Sequence, residues 1–348
     1  MFSLKAFIGT GAQRILPSIS CVSSRCASTS SSERVGFIGL GNMGAGMAKN
    51  LLQKGHKVVV FDLNKTAVES LVDSGADFVD DSQDLPDQEG VTTIITMLPN
   101  SSHVQDVYGK ILPRLRKGSL LIDSSTIDPL TSRELAVQVK EHGSMAVDAP
   151  VSGGVPAANA GTLTFMVGGE EEAEARARVY LECMGKNVVH CGSNGTGQVV
   201  KICNNMSLAI QMIGIGESMN LGMQLGMDPK KMAAIFNTAT SRCWSGDSYN
   251  PVPGVMEGVP SSREYEGGFG SSLMLKDLGL AVDAAEKAGV TTPLGSMSRE
   301  IYSFLQEHGL GGKDFSVAYE WIKNQNHREP VVSVTKTGAE FKSENYEA

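Results

Sequence analysis

The segment VGFIGLGNMGAGMAKNLLQKG, residues 35–55, constrains the fold more than any other part of this chain. A short apolar run leads straight into Gly39-x-Gly41-x-x-Gly44, and a helical pattern opens at the third glycine. In such a strand–turn–helix unit the first glycine permits a tight turn and the second lets backbone approach a pyrophosphate. The third allows close helix packing, with the phosphates at the helix N-terminus. Leu40, Asn42 and Met43 complete the turn and count with the glycines as candidate cofactor contacts. The spacing alone is a weak signal, but the next strand, KVVVFD, ends in Asp62, 23 residues after Gly39. A carboxylate there accepts from the adenosine ribose hydroxyls and repels a 2′-phosphate, which favours NAD over NADP. Lys65 stands close enough to weaken that preference, and a cofactor-free or FAD-binding version of the fold is the alternative.

From Arg34 to about Cys191, short runs rich in β-branched residues (VGFIG, KVVVFD, TTIITML, SLLIDSS, MAVDAP, TLTFMVGG, NVVHCG) alternate with helix-length segments. Alternation of this kind implies βαβ units and a parallel sheet covered on both faces. Ligands of such sheets bind beyond the strand carboxyl ends, which brings in Leu98 and Pro99 after TTIITM and Thr126 after LLIDSS. After Gly195 the strand signals stop, and helical patterns follow to Asn324, the first of them longer than 25 residues. The expected class is α/β, an N-terminal Rossmann domain followed by an all-helical domain, joined by a long interdomain helix. The divisions fall at 34–194 and 195–324, with a tail at 325–348. The stretch 241–270 carries too much Pro and Gly for a regular element and reads as an ordered loop.

Residues 1–33 carry Lys5, Arg14 and Arg25 with no acid before Glu33 and are thick with Ser and Thr, the composition of a mitochondrial transit peptide, with chloroplast targeting or a disordered polar N-terminus as the alternatives. Matrix localisation follows as an expectation. The net charge of −8 argues against a nucleic-acid partner. No apolar run is expected to reach the roughly 20 residues that span a membrane. Cys183, Cys191, Cys203 and Cys243 form no CxxC pair and no zinc-ligand spacing, so they read as buried thiols, with no metal expected.

Two stretches bring chemistry. In DAPVSGG, Ser152, Gly153 and Gly154 offer a hydroxyl and open backbone N–H groups, a cradle for a small carboxylate or else a simple Gly-rich turn. In GTGQVVKICNN, Gly197, Lys201 and Asn205 are four residues apart and share one helix face. Val199, Val200, Ile202, Cys203 and Met206 are expected to enclose the lysine. Desolvation would then lower its pKa toward the range useful for acid–base work. The lysine could equally snorkel to solvent or pair with a carboxylate.

GFIGLGNMG, LIDSST, DAPVSGG, GTLTFMVGG, GTGQVVKICNN and LMLKDLGL, in this order and spacing, resemble the β-hydroxyacid dehydrogenase family from about Arg34 to Asn324. CNNM, SRCWSGDSYNPVPGV and GGFGSSLMLKDLGLA resemble the members acting on 3-hydroxyisobutyrate more than those acting on tartronate or succinate semialdehyde or 6-phosphogluconate. The resemblance implies NAD-dependent oxidation of that hydroxy acid to methylmalonate semialdehyde, a step of valine degradation. It makes Lys201 the catalytic lysine and Asn205 the substrate-orienting asparagine, and leaves Asn204 a packing role. Ser152, Gly153 and Gly154 become the substrate loop and Thr126 a neighbour of the nicotinamide, while Lys276 and Asp277 close over cofactor and substrate. It also implies a homodimer or homotetramer built through the helical domain. Gly46, where relatives often carry proline, is expected to loosen its helix without removing a contact. An NADPH-dependent reductase of small semialdehydes and a noncatalytic nucleotide-binding module are the alternatives.

Overall fold

The computed structural model describes residues 33–325. The proposed transit peptide, apart from Glu33, and all of the tail except Gln325 lie outside them. Strand β1 (Arg34–Ile38) turns into α1 (Gly44–Gln53), and β2 (Lys57–Phe61), α2 (Lys65–Val72), a two-residue β3 (Asp77–Phe78) and β4 (Val91–Thr96) follow. Next come α3 (Ser101–Ile111), β5 (Leu120–Asp123), α4 (Pro129–Glu141), β6 (Met145–Asp148), β7 (Val151–Ser152) and α5 (Gly154–Ala160). Then β8 (Leu163–Gly168), α6 (Glu171–Met184) and β9 (Gly185–Gly192) complete a nine-stranded sheet. Its order begins β3-β2-β1-β4-β5-β6, so the chain reverses direction of travel between β1 and β4. That reversal opens a crevice beyond the strand ends at the glycine turn, where ligands of doubly wound sheets bind.

The sheet departs from the expected all-parallel pattern. β8 runs antiparallel to β6 and β7 and parallel to β9. Strands buried on both faces read as continuous apolar runs in either direction, so composition does not report the reversal. Two apolar cores flank the sheet, one containing Phe37, Met47, Leu51 and Phe165, the other Ile38, Ile94, Leu121 and Val139. Gly46 also differs from expectation. A Cβ there would sit 2.5 Å from Asn159 Oδ1, and Asn50 Nδ2 donates to both the Gly46 and Ala158 carbonyls. The glycine therefore lets α1 approach α5 closely.

The second half begins with α7 (Thr196–Gln224), 29 residues long. It is followed by α8 (Pro229–Phe236), a single-turn α9 (Trp244–Asp247), α10 (Ser271–Lys287), α11 (Pro293–Glu307) and α12 (Ala318–Asn324). By length and composition α7 is apolar enough to cross a membrane, contrary to the expectation that no segment would be. In the fold it is the central helix, packed against α10, α11 and α12, with Ala209, Met212 and Ile213 in a core shared with Met274, Leu278 and Tyr302. The 241–270 stretch holds α9 and a 3-10 turn at Pro260–Arg263. It is fastened by Asp314, which accepts hydrogen bonds from Tyr249 Oη and Phe269 N. Of the cysteines, Cys183 is buried, Cys191 and Cys243 half-buried and Cys203 exposed, so the uniform burial expected of them does not hold. Cys203 lies on the face of α7 turned away from Lys201 and Asn205.

Candidate active site

The glycine turn is shaped by backbone contacts. Gly39 has φ +98°, and a Cβ on it would lie 2.2 Å from the Met97 carbonyl oxygen. A Cβ on Gly44 would lie 1.9 Å from the Gly39 carbonyl oxygen, whereas Gly41 faces open space. The N-terminus of α1 has no side-chain cap and no acid in its first turn. Its unsatisfied N–H groups and partial positive charge are a receptor for an anion. Leu40 buries its side chain in the core and presents its backbone: Leu40 N donates to Asp62 Oδ2 at 2.6 Å, and Asn64 N to Asp62 Oδ1 at 2.7 Å. Each carboxylate oxygen keeps a further lone pair for a ribose hydroxyl. Lys65 is tied to Asp80 at 3.2 Å. These residues fit a dinucleotide: Gly41, Asn42, Met43 and Gly44 could hold its pyrophosphate and Asp62 its adenosine ribose.

On the same crevice, Leu98 N is held by Ser125 Oγ at 2.8 Å, and Pro99 precedes the Asn100 cap of α3. The β5 end continues into Thr126, whose carbonyl accepts from Lys276 Nζ at 2.7 Å. Lys276 comes from α10, 150 residues on in the chain, so this contact joins the two halves of the molecule across the crevice.

Lys201 is 7% exposed. Its Nζ donates to Asn205 Oδ1 at 3.1 Å, Asn205 Nδ2 donates to Asp277 Oδ2, and Asp277 Oδ1 lies 3.0 Å from Lys276 Nζ. That last contact is a charge pairing without hydrogen-bond alignment, because Asp277 Oδ1 is buried with no hydrogen-bond partner. Burial is the largest influence on Lys201 and lowers its pKa below the usual lysine value; the Asp277 carboxylate opposes this and the Lys276 ammonium adds to it. The enclosure differs from the one expected. Val199 and Val200 are 37% and 41% exposed, and Cys203 is exposed. They lie on the outer face of α7, so the sheet and α10 shield the lysine. Asn204 is exposed too, and donates to Asn205 Oδ1 at 3.0 Å instead of packing.

Ser152, Gly153 and Gly154 occupy β7 and the turn into α5, with φ +135° at Gly153 and +68° at Gly154. They connect to the lysine helix through Asp148, which closes β6 and accepts from Gly195 N at 2.6 Å and Gln198 N at 3.0 Å. Asp148 and Gln198 escaped the sequence reading as site residues, although both lie within the quoted motifs.

The fold and this crevice define a two-domain nicotinamide-dinucleotide-binding oxidoreductase with a buried lysine where the domains meet. Residues 34–192 match the NAD binding domain of 6-phosphogluconate dehydrogenase, and residues 195–322 the domain described as NAD-binding of NADP-dependent 3-hydroxyisobutyrate dehydrogenase. A probable mitochondrial 3-hydroxyisobutyrate dehydrogenase of Dictyostelium discoideum is 53% identical over 87% of this chain and 95% of its own. The mitochondrial 3-hydroxyisobutyrate dehydrogenase of Homo sapiens is 50% identical over 90% and 94%. The solved Mycobacterium tuberculosis 3-hydroxyisobutyrate dehydrogenase with L-serine is 39% identical, with TM-score 0.79 over 84% of this chain and 99% of that one. The chain belongs to the 3-hydroxyisobutyrate dehydrogenase family, within the β-hydroxyacid dehydrogenases.

Proposed function

We propose that this chain oxidises 3-hydroxyisobutyrate to methylmalonate semialdehyde with NAD⁺, and that Lys201 is the general base. The buried Lys201–Asn205–Asp277 array carries this reading: it holds an amine of lowered pKa beside a fixed amide at the mouth of the dinucleotide crevice. Ser152, Gly153 and Gly154 hold the substrate carboxylate, and Asn205 orients the hydroxyl toward Lys201. Neutral Lys201 takes the hydroxyl proton as the C–H bond of the same carbon breaks, and becomes the ammonium. When bound, NAD⁺ supplies the hydride acceptor. Asp277, hydrogen-bonded to Asn205, fixes the amide so that its donor and acceptor ends cannot exchange. Lys276 holds the Thr126 backbone where the nicotinamide end of the cofactor would lie. In the reverse direction protonated Lys201 is the acid.

NAD is favoured over NADP by Asp62, whose oxygens are already oriented by two backbone N–H groups, and by Lys65 being engaged with Asp80. The division at 194/195 marks off the Rossmann domain from a helical domain that brings Lys201, Asn205 and Asp277 to the substrate and mediates oligomerisation. Exposed Leu221, Leu294 and Met297 fit that domain's burial in a homodimer or homotetramer. Residues 1–33 would direct the chain to the mitochondrial matrix, where it would act in valine degradation, in keeping with relatives named mitochondrial. The test is Lys201→Ala in purified mature chain, followed by NADH absorbance over a panel of hydroxy acids. Turnover should vanish while NAD⁺ binding, measured by calorimetry, persists; near wild-type turnover would sink the assignment.

A further inference from the structure

We propose that Asp148 and Gln198 are positioning residues for this reaction, clamping the first turn of α7 to the ends of β6 and β5 and thereby fixing where the Lys201 amine stands relative to substrate loop and nicotinamide. The inference rests on the functional reading above, which makes no use of either side chain.

Asp148 is 2% exposed, and its two oxygens are divided between the N–H groups of Gly195 and Gln198. Two glycines, Gly197 and Gly168, make room for it. A Cβ on Gly197 would lie 2.2 Å from the Met166 carbonyl oxygen and 2.8 Å from Asp148 Oδ2. One on Gly168 would lie 2.6 Å from Asp148 Oδ1, and Gly195 adopts φ +84°. The carboxylate thus satisfies N–H groups that α7, lacking a side chain of its own at the cap, would leave open. Ser152 follows Asp148 by four residues and Lys201 follows Gly197 by four, so one side chain sets the register between carboxylate cradle and base.

Gln198 supplies the second fixing point. It is fully buried, its Nε2 donates to the Ser125 carbonyl at 2.8 Å, and its Oε1 accepts from Ile127 N at 3.1 Å. Those peptide groups flank Thr126, so the amide spans the residue beside the proposed nicotinamide position. Gln198 is three residues from Lys201, a rise of about 4.5 Å along the helix. A small rotation of the first turn therefore moves amine and Thr126 relative to each other. Misplacement on the order of 1 Å is worth roughly a hundredfold in rate.

The experiment compares wild type, Asp148→Asn and Gln198→Met at a temperature well below each unfolding midpoint. Steady-state NADH formation from 3-hydroxyisobutyrate is measured together with hydrogen exchange of peptides spanning 193–203. The clamp predicts a fall in kcat of about tenfold or more for each variant, with KM for NAD⁺ nearly unchanged because the glycine turn is untouched, and faster exchange in the first turn of α7. A cap that only stabilises would lower the midpoint and leave kcat of the folded enzyme alone, and wild-type kcat in either folded variant overturns the proposal. If Asp148→Asn does not fold, Gln198→Met decides alone. If wild type does not oxidise the hydroxy acid, the functional reading fails, while the exchange data still report whether the two side chains hold the helix; unchanged exchange in both variants then overturns the clamp.

Discussion

Asp123→Asn should gain stability on wild type as pH rises, the reverse of what removing a carboxylate from an ion pair does. Asp123 closes β5; its Oδ1 accepts from Thr96 Oγ1 at 2.8 Å and Ser125 N at 3.1 Å, while Oδ2 is buried with no hydrogen-bond partner. Burial, the largest influence, pushes the carboxyl up from 3.8 to about 6; the bonds from Ser125 and Thr96 pull it back, and the charge of Asp148 raises it further. Because the folded pKa lies above the unfolded one, ionisation is more costly in the fold. That cost is small near the unfolded pKa, grows as pH rises toward the folded value and is complete above it. At about 1.4 kcal/mol per unit the full cost is ~3 kcal/mol, of which about 2 kcal/mol develops between pH 4.5 and 7.5. The amide keeps the Oδ1 acceptor and cannot ionise. It leaves an NH₂ group unpartnered, costing about 1–3 kcal/mol at every pH. The quantity to measure is therefore the change in the stability difference, read from urea unfolding followed by circular dichroism at pH 4.5, 5.5, 6.5 and 7.5. It should move toward the variant by about 2 kcal/mol across that range. A flat difference, or one moving toward wild type, would refute the argument that this carboxyl is ionised at a desolvation cost.

Asp62→Ala removes the acceptor and the repulsion at the ribose end, so KM for NAD⁺ should rise and the NAD⁺ to NADP⁺ ratio of kcat/KM should fall; an unchanged ratio would place cofactor choice elsewhere. Gly44→Ala must displace the turn, since its Cβ would fall 1.9 Å from the Gly39 carbonyl oxygen; weaker NAD⁺ binding by calorimetry and a lowered unfolding midpoint are expected. For wild type, kcat/KM should rise with pH through the lowered Lys201 pKa and level off where the amine is neutral. Lys201→Arg, which stays charged throughout this range, should show no such rise and little activity.

What could be read from the chain ahead of its fold was whatever is encoded over a few neighbouring residues. Gly39, Gly41 and Gly44 with Asp62 are legible because each serves a backbone requirement of one strand–turn–helix unit. Lys201 and Asn205 are legible because four residues make a helical turn. The rest depends on partners far along the chain. Asp277 reaches Asn205 across 72 residues, Lys276 reaches Thr126 across 150, and Asp148 meets Gln198 across 50. No local pattern marks such pairs, which is why Val199, Val200 and Cys203 are expected around the lysine yet lie exposed, while Ile202 is buried as expected. The reversal at β8 was hidden for a related reason: a buried strand carries the same apolar residues in either direction.

Helix α7 is also a lever, held at the end that bears Lys201 by Asp148 and Gln198. At 1.5 Å per residue its 29 residues extend about 43 Å. With the pivot at Gly197, Lys201 lies about 6 Å out and the far end about 40 Å. A swing of roughly 5° would carry Gln224 through about 3.5 Å yet shift the lysine backbone by only about half an ångström. Shifts in helix packing at the distal end are thus scaled down several-fold before they reach Lys201.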